Sequence, residues 1–134
     1  MKLKLIIYLF SAVVFFSCRK PENSPAPSSV ISGKKWRLIS YNLNGLEILS
    51  GFSNCTVAFN SNGELVITNN GINNTGTWKE FSDPPKIEMN ISSNDAYVIL
   101  FNKTWEAILL NPGRVELADT KINPQEIIKL DIIP

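Results

Sequence analysis

Residues 55–67 read Cys55-Thr56-Val57-Ala58-Phe59-Asn60-Ser61-Asn62-Gly63-Glu64-Leu65-Val66-Ile67. Cys55, Val57 and Phe59 alternate with Thr56, Ala58 and Asn60, and the alternation resumes with Leu65 and Ile67. A period of two places each set on one face of an extended strand. Asn62-Gly63 readily takes the positive φ that a tight hairpin requires. The stretch therefore predicts two antiparallel strands with one apolar face.

The same signature spreads outward from this hairpin. Upstream, Lys35 to Asn42 puts Trp36, Leu38 and Ser40 on one face, and Asn44-Gly45 marks a turn. Downstream, Asn69-Asn70-Gly71 to Asn74 is a polar loop, and Thr75 to Phe81 carries Gly76 and Trp78 on one side. Asp83-Pro84-Pro85 breaks the chain. Ile87, Met89 and Ile91 then alternate with Lys86, Glu88 and Asn90. Ala96–Phe101 and Thr104–Leu110 are apolar on both faces, the pattern of well-buried strands. Beyond the Asn111-Pro112-Gly113 turn, Val115 and Leu117 alternate with Arg114 and Glu116, and Ile128, Leu130 and Ile132 align in a last strand. Eight or nine strands spaced about ten residues apart predict an all-β barrel or sandwich. Hairpin-length connections favour a small antiparallel up-and-down barrel, because closure removes exposed sheet edges.

The first 32 residues are of another kind. Lys2 and Lys4 precede an apolar run, Leu5 to Phe16, interrupted only by Ser11. A spanning helix needs about 20 apolar residues, so this shorter run reads as the h-region of a signal peptide. Phe15-Phe16-Ser17-Cys18 resembles the lipobox of bacterial lipoproteins, with Ser17 and Cys18 matching and two phenylalanines bulkier than the usual occupants. The resemblance implies cleavage before Cys18, a diacylglyceryl group on its thiol and acylation of the new amino group. It makes 1–17 a signal peptide, 18–32 a lipidated tether and 33–134 the barrel domain. Pro21, Pro25, Pro27 and several serines give the tether an extended, flexible composition. Some Bacteroidota lipoproteins are similar to one another in an acidic run after the cysteine that directs them to the cell surface. Arg19-Lys20 stands there instead, which favours an outer-membrane lipoprotein facing the periplasm.

Composition excludes several functions. The chain has 134 residues and a formal charge of +1, so no basic footprint for nucleic acid exists. It has no histidine, which removes the usual general base and the commonest metal ligand. Scattered Glu64, Glu80, Glu88, Glu106 and Glu116 read as outward positions and form no evident catalytic pair. With Cys18 lipidated, Cys55 has no intrachain partner and no imidazole to activate it, so it reads as a small core hydrophobe. No enzyme activity, metal or cofactor is expected.

Trp36, Phe59 with Asn62-Gly63, Gly76-Thr77-Trp78, Trp105 and Val115-Glu116-Leu117 together resemble the lipocalin-like domains of Bacteroidota lipoproteins, over Gly33 to roughly Asp119. Gly33 lies three residues before Trp36 rather than two as in true lipocalins, and the second cysteine of many such lipoproteins is lacking. The resemblance implies a barrel with room for side chains or one small ligand. Trp36, Tyr41, Trp78, Tyr97 and Trp105 are its candidate ligand-binding residues. Each indole has a competing role as packing, and each tyrosine as a cap on the rim. Two expectations follow. In one, a lipid-anchored barrel binds a small apolar or amphipathic ligand. In the other, a solid barrel binds an envelope protein or glycan through loops or an edge strand.

Overall fold

The structure is a computed structural model and describes residues 25–134. The signal peptide and the Cys18 lipidation site lie outside the described residues. A short helix α1 (Pro27–Ile31) precedes nine strands: β1 (Lys34–Leu43), β2 (Leu46–Glu47), β3 (Thr56–Phe59), β4 (Glu64–Asn69), β5 (Ile72–Ser82), β6 (Pro85–Ile91), β7 (Lys103–Leu110), β8 (Arg114–Asp119) and β9 (Glu126–Ile132). From β3 to β9 each strand pairs antiparallel with the next, β3 also pairs with β1, and β1–β9 pairing closes an eight-stranded barrel. The two-residue β2 hairpins onto the end of β1 outside this ring. The expected up-and-down barrel is the observed one.

The opening hairpin forms with the expected apolar face, but of Asn62-Gly63 only Gly63 has positive φ (87°), and Asn60 closes the turn by donating its backbone N–H to the Glu64 carbonyl. Val57 and Phe59 of β3 face Ile67 and Leu65 of β4 in register, and all four side chains are fully buried. At the next turn Asn70 and Gly71 both have positive φ (51° and 75°), the geometry of a two-residue hairpin loop that follows the twist of its strands.

The strand count agrees with expectation, but its members differ. Ala96–Phe101, expected as a buried strand, instead ends in a 3-10 helix, Val98–Phe101. Asp95 starts that turn: its carboxylate accepts the backbone N–H groups of Tyr97 and Val98, a local competitor of strand pairing. A second 3-10 helix, Leu49–Gly51, follows β2.

Two bulges reset the faces. In β1 the register shifts between Leu38 and Ser40, so Trp36 and Leu38 point inward but Tyr41, rather than Ser40, follows them. An extra residue reverses a period-two pattern in this way. In β7 the shift between Ala107 and Leu109 leaves Ile108 and Leu109 exposed, although the sequence predicts a strand buried on both faces.

Upstream of Gly33, α1 (Pro27–Ile31) already packs against the barrel. Pro27 occupies the first turn of α1, where its missing N–H costs nothing. Val30 and Ile31 enter the core, and Ile31 is fully buried. The Ser28 backbone N–H and hydroxyl donate to the two carboxylate oxygens of Glu80, each at 2.7 Å. Glu80 thus shares the face of Trp78 and grips α1, where an outward position was expected. A five-residue helix has no strong periodicity to read, and an isolated one would not be stable. Contact with the barrel makes it.

Candidate ligand site at the mouth of the barrel

The barrel has two unlike ends. At one, α1 lies beneath the interior, beside the β3–β4, β5–β6 and β7–β8 hairpins. The other end, the mouth, carries the β1–β2 and β4–β5 hairpins, both 3-10 helices and the 120–125 loop. There irregular segments, rather than ladder hydrogen bonds, cover the interior.

Tyr41 stands at the centre of the mouth. Its ring stacks on Phe52 at 5.5 Å and meets Phe101 and Trp105 edge-on at 5.6 and 6.2 Å. Tyr97 covers this group, 5.2 Å from Phe52, and is 40% exposed. It lies directly over Gly51, where a Cβ would come within 2.0 Å of the Tyr97 ring. Gly51 thus lets the Tyr97 ring lie against the first 3-10 segment, and a Cβ there would displace that ring.

A polar group lies under these rings. The Tyr41 hydroxyl donates to Glu126, and Lys103 bonds the other carboxylate oxygen of Glu126. Asp119 stands 3.8 Å from the same ammonium, which also sits 5.2 Å over the Trp105 ring. Glu126 is 1% exposed. Burial, then the Glu126 hydrogen bond and charge, push the Tyr41 phenol far above its ordinary range. Tyr41 is therefore a neutral donor at any physiological pH, and it holds the buried carboxylate in place.

Among the candidate residues, Tyr41, Tyr97 and Trp105 come together at the mouth. Trp36 and Trp78 do not. Trp36 is fully buried at the α1 end, its indole N–H directed at the Ile31 carbonyl (3.5 Å). Trp78 packs edge-on to Phe59 at 5.5 Å and donates to the Asn60 carbonyl. Trp105, also fully buried, donates to the Phe101 carbonyl at 3.0 Å. All three indoles thus spend their donors within the protein and act in packing.

Sequence reasoning missed Phe52, Phe101, Lys103 and Glu126. Glu126 was legible: it shares the parity of Ile128 and Leu130, both inward. Phe101 and Phe52 lie on segments where periodicity fails. Cys55 is buried beside the mouth, and burial followed by the Asp95 charge pushes its thiol up to about 12. It is a neutral core thiol, as its surroundings in the sequence suggested.

Outside the barrel, the β4–β5 hairpin and the loop before the second 3-10 helix enclose a cleft of about 410 Å³ lined by Ile72, Asn74, Ser93, Asn94 and Asp95. The Ser93 hydroxyl donates to Asn74, and Asn69 donates to Asp95, whose carboxyl is held below its usual range mainly by that bond. Among the described residues, no cluster of three potential metal ligands occurs.

No family model matches the chain, and no curated protein matches it in sequence. Among solved structures, it is similar to Japanin from Rhipicephalus appendiculatus bound to cholesterol, at 12% identity and a TM-score of 0.53, over 82% of this chain and 80% of that one. At such identity the likeness concerns the fold alone. The fold is lipocalin-like.

Proposed function

We propose that this chain is a non-enzymatic, lipid-anchored envelope protein whose barrel takes a small apolar or amphipathic ligand at its mouth. The observation that carries the reading is the mouth itself. Aromatic rings from Phe52, Tyr97 and Phe101 lie over one buried polar group, Tyr41–Glu126–Lys103. Apolar walls with a few convergent polar groups are the chemistry of small-molecule sites. Phe52 and Tyr97 sit outside the strand ladders, so they can swing away at less cost than a strand residue. Cholesterol bound to the similarly folded Japanin supports an apolar ligand class.

Anchoring belongs to the same proposal. Cys18 with its lipobox-like surroundings tethers the domain to the periplasmic face of the outer membrane. A Cys18→Ala variant should accumulate unprocessed and without lipid; fractionation and migration like wild type would refute the anchor.

Ligand binding is tested by titrating the protein with a brominated fatty acid and with a brominated sterol, and by mass spectrometry of organic extracts. Saturable quenching is expected, reduced in Trp105→Phe and retained in Trp36→Phe. Absence of saturable quenching, with nothing extracted, would refute it.

A second reading has its own observation. The barrel interior is filled by Trp36, Tyr41, Phe59, Phe101 and Trp105, all fully buried. A solid barrel would bind through its surface, and the amide, hydroxyl and carboxylate groups around Ile72 suit a glycan. Glycan-array binding lost in Asn94→Ala and unaffected by Trp105→Phe would select this reading.

A further inference from the structure

The α1 end of the barrel carries three exposed apolar side chains. Phe81 is 44% exposed at the end of β5, and Ile108 and Leu109 are 49% and 37% exposed at the end of β7. Registers place them on neighbouring rims: Phe81 faces Lys86, and Lys86 faces Glu106 in β7. Ile108 is the bulged residue of β7, and the bulge turns Leu109 outward, opposite Glu116. Leu46, Ile72, Tyr97 and Ile99 are the exposed apolar side chains of the mouth end, and Phe81, Ile108 and Leu109 are those of the opposite end.

Charge differs between the ends. At the mouth, Glu47, Asp95, Asp119 and Glu126 outnumber Lys103 and Lys121. At the α1 end, Lys34, Lys35 and Lys86 form no ion pair among the described residues, Arg114 pairs with Asp131, Glu80 is bound by Ser28 of α1, and Glu64, Asp83 and Glu106 lie nearby. The three unpaired lysines at the α1 end are the charges free to meet an anionic surface.

Chain length says what covers this end. The proposed lipid site, Cys18, is nine residues from Pro27, where the chain enters the barrel through α1. Nine residues reach no more than about 30 Å even when fully extended. A bilayer holding that lipid therefore lies within reach of the α1 end, on the side where the chain enters.

We propose that the α1 end is a membrane-docking surface: Phe81, Ile108 and Leu109 enter the lipid headgroup boundary, Lys34, Lys35 and Lys86 meet anionic headgroups, and the mouth faces away from the bilayer. The choice of a bilayer as the occupant, and the orientation, rest on Cys18 carrying the proposed anchor, whereas the exposed apolar side chains and unpaired lysines stand without it. Apolar side chains with flanking lysines bind interfaces in this way.

The test uses residues 18–134 with Cys18→Ser, which contain the whole closed barrel and carry no lipid. Partitioning is measured by flotation with vesicles of phosphatidylcholine and phosphatidylglycerol at low salt. Binding is expected, weakened about tenfold by Phe81→Ser with Ile108→Ser, equivalent to about 1.4 kcal/mol. It should also weaken in Lys34→Glu with Lys35→Glu, and stay unchanged in Leu46→Ser at the mouth. No vesicle binding, or binding lost in Leu46→Ser and retained in the Phe81/Ile108 variant, would overturn the proposal. Failure of lipidation would appear instead in processing of Cys18→Ala, so the two outcomes are separable.

Discussion

The Tyr41–Glu126 contact permits a quantitative test of the mouth. Glu126 is a carboxylate with 1% exposure, and such a group persists in a small barrel only if its lone pairs are occupied. The Tyr41 hydroxyl has one hydrogen and two acceptors within reach, Glu126 and the Leu100 carbonyl at 3.1 Å. The closer, charged acceptor takes it. Tyr41→Phe keeps the ring stack and removes only that donor. A hydrogen bond to a charged group contributes about 1.5–3 kcal/mol, so a loss of about 2 kcal/mol is expected.

Glu126→Gln keeps the shape and an acceptor but removes the charge facing Lys103. Breaking a fully buried ion pair costs about 3–5 kcal/mol. Lys103, however, retains 25% side-chain exposure and has Asp119 at 3.8 Å, so water and the second carboxylate offset part of the loss. About 2 kcal/mol is again expected, toward the lower range for a buried charged contact. Because Glu126→Gln also weakens the charged bond that Tyr41→Phe removes, the double variant should fall short of the sum by about 1 kcal/mol. Urea unfolding of the four proteins at neutral pH measures this, with the slope m checked for constancy. Additivity within about 0.5 kcal/mol would mean that the two groups do not act as a pair, and the polar anchor of the mouth would fall with it.

Three further outcomes are expected. Ile31→Ala should destabilise the barrel by about 2–5 kcal/mol, as for a fully buried aliphatic side chain; a change under about 0.5 kcal/mol in the unfolding midpoint would return α1 to the tether. Gly76→Ala should lower thermal stability markedly, because a Cβ there would sit 2.1 Å from the Asn90 carbonyl oxygen and 2.8 Å from Ile91 Cα, both backbone atoms of β6; unchanged melting would refute that close approach. Cys55 should resist iodoacetamide at pH 8 until the protein unfolds. Its folded pKa of about 12 lies above the ordinary value of 9.0, so the thiol's contribution to stability is full below about pH 9 and is lost as pH rises toward 12. Cys55→Val should flatten the decline in stability over that interval, and an unaltered slope would contradict the assigned burial.

The barrel itself was legible because a strand's period of two is a local property. Val57, Phe59, Leu65 and Ile67 announce their face without knowledge of any partner. Turn chemistry is local too, but Asn69–Asn74, expected as a polar loop, is in fact a two-residue turn at Asn70-Gly71 with β5 already begun at Ile72. The meander followed from short connections. The candidate site was legible only in part. Tyr41, Tyr97 and Trp105 were named from residue type, but their gathering at one end depends on how the barrel closes.

Tertiary structure decided the rest wherever a distant contact outweighed local pattern. The bulge after Leu38 transfers the inward position from Ser40 to Tyr41, which then reaches Glu126, eighty-five residues away. Asp95 converts an apolar run into a 3-10 helix, and Glu80 fixes α1 through Ser28. No window of sequence contains both members of these contacts. By itself the sequence determined the class of fold and the face of each hairpin strand, since both are written in neighbouring residues. Which side chains meet at the mouth, and what α1 packs against, were decided by barrel closure, which brings residues far apart in the chain within bonding distance.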